Sequence, residues 1–197
     1  APSRHAALAA RAGRPELIRR DGLLYAFPDR AAFAAEGLAW RIRADAGVGW
    51  EELDACALRE AEPELAPRYG FGVLVGEGGH CRDPGGHVAA LTALAEAHGA
   101  RRVSARATGF CIEGGRLRAV RTEAGEVAAG RAVLAAGIHS APLARALGHR
   151  IPLESERGYH AVFPAPGIAP RRPVMPSDGK MGVTLTDGGL RVAGQVE

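Results

Sequence analysis

The sequence predicts an α/β fold joined to an α+β fold, and three observations predict it. A helix-patterned segment, residues 86–98, gives way at once to period-two alternation over residues 103–127. Residues 131–136 then form a fully apolar run ending at Gly137, the pattern of a parallel strand covered on both faces. From Ile151 onward the chain reads as β with a proline-rich loop at residues 164–172.

Taken in order, residues 5–12 are an alanine-rich helix that follows the Pro2-Ser3 start signal and stops at Gly13 and Pro15. Residues 17–19 and 23–27 read as two strands around the turn signal Asp21-Gly22. Asp29 is placed to cap a helix running to residue 44, with Phe33, Leu38, Trp40 and Ile42 on its apolar side. Residues 51–53 suit a short strand, and residues 56–61 one or two helical turns ended by Pro63. Residues 69–75 are β-like, and the glycines of residues 76–79 form a loose turn before Asp83-Pro84. The helix of residues 86–98 places Val88, Leu91, Leu94 and Ala95 on one face and stops at Gly99. Residues 103–110, 116–121 and 126–127 form a three-strand meander turned at Gly114-Gly115 and Ala124-Gly125. After the apolar run, Ser140 caps a helix through Leu147. Residues 153–163 form a long strand, and residues 181–186 and 190–196 a hairpin turned at Asp187-Gly188-Gly189.

Composition removes several function classes. With 47% hydrophobic and 24% charged residues in 197, the chain has material for a core and is not disordered. Its longest apolar runs fall far short of the roughly 20 residues that span a bilayer as a helix. The net charge of +3 is carried almost wholly by arginine, since Lys180 is the only lysine. Those arginines are dispersed pairs with acidic neighbours, not a basic stripe interleaved with aromatics, so a nucleic-acid partner is set aside. Cys56, Cys81 and Cys111 are odd in number and far apart, with no zinc spacing, so we expect no metal site and three reduced thiols in a cytoplasmic protein. The chain begins without methionine, and its last strand reaches Glu197 with no stop signal. Both lead us to expect an internal piece of a longer protein.

No stand-alone catalytic motif is present: there is no nucleophile elbow, zinc-binding helix or P-loop. Two clusters draw attention. In Ala132-Val133-Leu134-Ala135-Ala136-Gly137-Ile138-His139-Ser140 a buried strand ends in glycine and turns into a helix, which lets backbone approach a ligand closely; a plain strand-to-helix turn reads the same way. In Ile151-Pro152-Leu153-Glu154-Ser155-Glu156-Arg157-Gly158-Tyr159-His160 three polar residues crowd onto an apolar strand, Arg157 and Tyr159 to one face and His160 to the other. A polar strand edge is the alternative.

The order of these pieces carries a resemblance. Leu58-Arg59-Glu60-Ala61-Glu62-Pro63-Glu64-Leu65, Asp83-Pro84, Gly99-Ala100, the meander, Ala135-Ala136-Gly137-Ile138-His139-Ser140, Ile151-Pro152-Leu153, Arg157-Gly158-Tyr159-His160 and Gly189-Leu190-Arg191-Val192-Ala193-Gly194 together resemble the D-amino-acid dehydrogenase and glycine oxidase family from about Leu17 onward. The resemblance implies part of a FAD-binding Rossmann-like domain, here residues 84–149, set between two parts of a mixed-sheet substrate domain, residues 1–83 and 150–197. It implies FAD as cofactor, not retained by this piece alone, because the family's Gly-x-Gly-x-x-Gly motif and its C-terminal carboxylate-binding segment are missing. Carried over residue by residue, Ala107, Ala136, Gly137 and Ile138 would lie against FAD. Arg157, Tyr159, His160, Met181, Val183 and Thr184 would line the substrate cavity. Ile138-His139 departs from the small residue and tryptophan usual there. The implied reaction is oxidation of an amino acid or related amine by hydride transfer to the flavin, with no catalytic side chain assigned. The substrate is a small molecule, and the electron acceptor is left open. A flavin enzyme for a 2-hydroxy acid or a polyol phosphate, and a non-catalytic ligand-binding or interaction module, remain the competing readings. The exposed apolar strand would favour self-association of the isolated piece. Peripheral attachment at the inner membrane is the alternative to a freely cytoplasmic location.

Overall fold

The computed structural model describes residues 2–197. They fall into two compact units: the chain up to Ala100 together with Gly158–Glu197, and Arg101–Arg157.

The larger unit opens with helix α1 (Pro2–Arg11), a 3-10 turn at Pro15–Leu17 and strands β1 (Ile18–Arg19) and β2 (Leu23–Phe27). Helices α2 (Arg30–Ala35) and α3 (Gly37–Asp45), strand β3 (Glu51–Leu53), helix α4 (Ala55–Ala61), strands β4 (Phe71–Val75) and β5 (His80–Cys81) and helix α5 (Pro84–Ala97) follow. Aspartates start three of the helices: Asp29, Asp54 and Asp83 accept hydrogen bonds from the backbone N–H of Ala32, Ala57 and Gly86 at 2.8, 2.9 and 2.9 Å. The smaller unit holds strands β6 (Ala107–Glu113), β7 (Arg116–Thr122) and β8 (Gly125–Ala128), a 3-10 turn at Gly137–His139 and helix α6 (Ser140–Arg145). The chain then returns to the larger unit as β9 (Gly158–Phe163), β10 (Val174–Pro176), β11 (Met181–Thr186) and β12 (Gly189–Val196).

A seven-stranded mixed sheet, ordered β3-β4-β2-β10-β11-β12-β9, organises the larger unit. Its neighbours are antiparallel except for β2 and β10, which run parallel with Val174 opposite Leu24 and Pro176 opposite Ala26. One face carries Leu24, Ala26, Leu53 and Val174, packed with Leu58 of α4 and with Tyr69. The other carries Phe27, Phe71 and Val73 beneath Trp40 of α3. Trp40 is the hub of that second layer: its ring meets Tyr25, Phe33 and Trp50 edge to face at 5.0–5.3 Å, and the Arg43 guanidinium lies 4.8 Å from its centroid.

Several sequence expectations change. Strands β1 and β2 do not form a hairpin, because β2 is flanked by β4 and β10 and has no free edge; β1 pairs with β5 instead. The helix expected to residue 44 breaks at Glu36, and after the break Trp40 turns inward while Leu38 and Ile42 face solvent. On α5 the buried residue is His87, whose Nε2 lies 3.4 Å from His5 Nδ1 of α1, and Val88 is exposed. That helix packs with α1 inside the larger unit. Residues 131–136 form no strand, and Val133 is 92% exposed: among the described residues no parallel neighbour offers them a ladder. The long strand expected at residues 153–163 begins only at Gly158, and β10 lies where only a loop and its exit were expected.

The proline-rich loop reaches the core through one buried acid. Both carboxylate oxygens of Glu62 accept from the Arg171 N–H at 3.0 Å, and Glu62 is 1% exposed. Arg171 also donates through Nη1 to Glu60 O at 2.9 Å.

Two stability measurements follow, both on the whole protein by urea unfolding. Phe27→Ala, at a fully buried position between β2 and the aromatic layer, should cost about 3–5 kcal/mol; a cost below about 1 kcal/mol would mean that layer collapses to fill the cavity. Burial pushes the Glu62 carboxyl above the usual carboxylate range, opposed by the Arg171 N–H and the Arg172 charge. A raised acid contributes its stability fully below its unfolded pKa and loses it as pH rises through the folded one. Stability should therefore fall on this account as pH climbs through and above the carboxylate range, and Glu62→Gln should flatten that part of the profile. Glu62→Ala should cost about 1–3 kcal/mol at every pH by leaving the Arg171 N–H without its acceptor.

Candidate functional site

The residues expected to meet a cofactor lie in the smaller unit. A groove of about 700 Å³ runs between the meander and residues 131–136, with Ala107 and Ala136 in its wall beside Phe110, Val120 and Leu143. Gly137, which follows the lining residue Ala136 in sequence, has φ 56°, and a Cβ there would meet nothing within 4 Å. That backbone value is one L-residues rarely adopt, so glycine is needed and its open side stays free of side chain. Ile138 follows in the 3-10 turn, partly exposed. Ser140 does not cap the helix as expected: it sits inside it, and its buried Oγ accepts from Ala136 N–H at 3.0 Å, pinning the turn. An apolar wall of alanines with exposed backbone fits a flat ring system, and Arg131 is the charged residue of the lining. These residues therefore fit the hydrophobic part of a dinucleotide cofactor, with no cradle here for its phosphates.

The residues expected to meet substrate lie on the other unit's sheet, and register decides which of them share a face. Met181 is opposite Gly194, which is opposite Tyr159; Val183 is opposite Val192 and Ala161. Val183 also faces Val174, itself opposite Leu24, so Tyr159, Met181 and Val183 project on the face that packs against α4. His160, opposite Ala193 and Gly182, and Thr184, opposite Arg191, project on the face that carries Trp40. The structure thus gathers the five strand residues on β9 and β11, the two strands that flank β12, but divides them between two faces. Arg157 precedes β9, as the last residue of the smaller unit.

Three features hold this end of the sheet. Tyr159 Oη donates to Glu197 Oε1 at 2.6 Å. Before β11, Asp178 accepts from Tyr69 Oη at 2.7 Å and pairs with Arg68 at 3.2 Å, anchoring the turn that leads to Met181. Burial, with Asp178 beside it, pushes the Tyr69 phenol above its ordinary value, so it stays a donor. Third, Gly194 allows β11 and β12 to close: a Cβ there would stand 2.8 Å from Met181 Cβ and 2.9 Å from Lys180 O.

A polar hollow escaped the sequence reading. Arg19, Asp21, His80, Arg82 and Asp187 border a cavity of about 500 Å³, with Arg82 Nη2 2.6 Å from Asp187 Oδ1 and His80 Nδ1 3.3 Å from Asp21 Oδ1. The pairing of β1 with β5 assembles it, and the charges largely face one another. The signal was weak: β5 is two residues long. Among the described residues no group of three His, Cys, Asp or Glu is placed to hold a metal.

Gly194→Ala should destabilise the whole protein by about 1–3 kcal/mol, because the new methyl group has to displace backbone as well as side chain. Differential scanning calorimetry reads this, and an unchanged melting temperature would mean that the Met181 end of β11 moves aside freely.

A family model described as FAD dependent oxidoreductase (DAO) matches residues 1–197. A D-amino-acid oxidase of Bradyrhizobium diazoefficiens is 51% identical over 197 residues, which are 100% of this chain and 47% of that protein. A D-amino acid dehydrogenase of Rhizorhabdus wittichii is 32% identical over 164 residues, 79% of this chain and 38% of that protein. Among solved structures, glycine oxidase from Geobacillus kaustophilus superposes with a TM-score of 0.80 at 19% identity, over 100% of this chain and 53% of that one. The chain spans about half the length, or less, of the relatives it matches.

Proposed function

The chain belongs to the DAO family of FAD-dependent oxidoreductases, and from that premise we propose that the whole protein oxidises an amino acid or a related amine, with D-amino acids the first substrates to test. The observation that carries this reading is the likeness to a D-amino-acid oxidase along every residue of the chain. Residues 84–149 would contribute to the FAD-binding domain and the flanking segments to the substrate domain.

FAD, when bound, would supply the two-electron oxidant that such an oxidation of a substrate carbon–nitrogen bond requires. This chain's residues do the holding. Ala107, Ala136, Gly137 and Ile138 offer an apolar, backbone-lined surface to the flat rings. Tyr159, with its proton committed to Glu197, presents oxygen lone pairs that suit a substrate amine. Met181 and Val183, on the same face, supply apolar contact and keep water from the amine, while His160 and Thr184, on the opposite face, are the polar anchors of the competing position for the substrate. Positioning of this kind lowers the barrier without a dedicated catalytic side chain.

The same proposal locates the protein in the cytoplasm, where the free thiols of Cys56, Cys81 and Cys111 stay reduced, with peripheral attachment at the inner membrane as the variant. Self-association of this chain on its own would use the exposed edge strand β9 and the apolar residues 131–136.

The whole protein should show a flavin spectrum that D-amino acids bleach without oxygen; adding oxygen or a quinone afterwards identifies the electron acceptor. Bleaching by 2-hydroxy acids and not by amino acids would transfer the assignment to hydroxy-acid oxidation. A colourless protein that added FAD does not rescue would favour an interaction module. His160→Ala should raise the KM for the preferred substrate several-fold, and unchanged kinetics would remove His160 from the site.

A further inference from the structure

A hollow that the proposed oxidation does not use carries a buried polar group without a partner. It opens where α1, β1, β5 and the start of α5 meet, and its volume of about 350 Å³ lies in the range of small-molecule sites. Ile18, Pro84 and Val88 give it an apolar wall, joined by Cys81 and by three imidazoles, those of His5, His80 and His87. Among the described residues no aspartate, glutamate, lysine or arginine lines it. Burial pushes the Cys81 thiol above its ordinary range, so it stays protonated and uncharged. Such a wall suits a neutral guest, because a charge would lose its hydration here and gain no partner.

His87 says what else the guest needs. The residue is 7% exposed in the cavity wall, and its Nδ1 is shut off from water with no hydrogen-bond partner. Its other nitrogen is engaged: Nε2 lies 3.4 Å from His5 Nδ1, with the two rings edge to face at 63°. Two neutral imidazoles that meet nitrogen to nitrogen share one proton. A proton on His87 Nδ1 would be a buried donor with no acceptor, so the ring carries its proton on Nε2 and donates it to His5. His87 Nδ1 is then left with a lone pair that nothing satisfies. His80 differs, since its Nδ1 has Asp21 Oδ1 3.3 Å away.

Buried acceptors in folded proteins almost always find a donor. Here the donor has to come from whatever fills the hollow, and the imidazole rings in the wall offer edges and faces to an aromatic ring. We propose that this cavity binds a small neutral aromatic molecule with a single N–H or O–H donor, of the indole or phenol type, and that His87 Nδ1 accepts that hydrogen bond. None of its lining residues is among those assigned to cofactor or substrate, so the site stands apart from the oxidation reading.

The test uses the whole protein with its flavin. Indole and benzothiophene are matched in shape, and only indole carries an N–H. Cys81 reports occupancy because it lines the cavity, and Cys56, exposed on α4, is the control. Labelling of each cysteine by N-ethylmaleimide is followed by mass spectrometry. Indole should slow labelling of Cys81 and leave Cys56 unchanged. Benzothiophene should need about tenfold more for the same protection, the factor expected for one hydrogen bond. His87→Leu keeps the wall apolar and removes the acceptor, so the two compounds should then protect equally. Equal potency in the wild type would overturn the inference, since the donor would then count for nothing. Failure of both compounds to protect Cys81 would overturn it as well. A tenfold difference that persists in H87L would overturn the assignment to His87. Should H87L fail to fold, the wild-type comparison decides by itself.

Discussion

The parallel pairing of β2 with β10 is the constraint on which the larger unit depends. It joins a strand near the start of the chain to one that follows the whole of the smaller unit. Leu24 N–H donates to Pro173 O at 3.0 Å and Ser177 N–H to Ala26 O at 2.9 Å at the two ends of the joint. Without it the three strands β9, β11 and β12 would be a separate antiparallel ribbon with nothing to bury against; with it, Val183 packs on the core that Leu24 and Leu58 begin. Closing so long a loop costs little more than closing a short one, because the entropy grows only with the logarithm of length. What must be specific is the joint itself, and buried contacts supply that: Glu62 holds the loop before β10 through the Arg171 N–H, and Tyr69 holds the turn after it through Asp178.

The smaller unit shows what an apolar run does when no neighbouring edge among the described residues pairs with it. Its meander is locally complete, each strand pairing with the next. Residues 131–136 are not: a run this apolar suits a strand covered on both faces, yet here Val133 is almost fully exposed and no ladder forms. The same exposure creates the alanine-walled groove beside Gly137. Fold and candidate cofactor surface are thus two consequences of one unfilled hydrogen-bonding edge.

The end of the larger unit's sheet at Tyr159 and Met181 is built differently, by register and strain. Gly194 lets two strands approach, the bulge after it changes the alternation, and Tyr159 ties β9 to Glu197 across it. Small residues and irregular backbone at the end of a regular sheet give side chains directions that ideal alternation would not.

The sequence by itself determined the elements whose cause is local. Asp29 and Asp83 mark helix starts where helices begin, and the Asp187-Gly188 turn sets the β11–β12 hairpin. Order and spacing of motifs determined the family, and strand alternation separated Tyr159 from His160. Tertiary structure alone decided the rest. That β1 would leave β2 for β5, that Trp40 and not Leu38 would turn inward, and that Glu62 would clasp Arg171 depend on partners distant in sequence. Whether an apolar run becomes a strand depends on a neighbouring edge, which residues 131–136 do not find among the described residues. Gln195 is the sharpest case: nothing in its letter or its flanks predicts a left-handed backbone, because the bulge arises only when β12 takes its register from β11 on one side and β9 on the other.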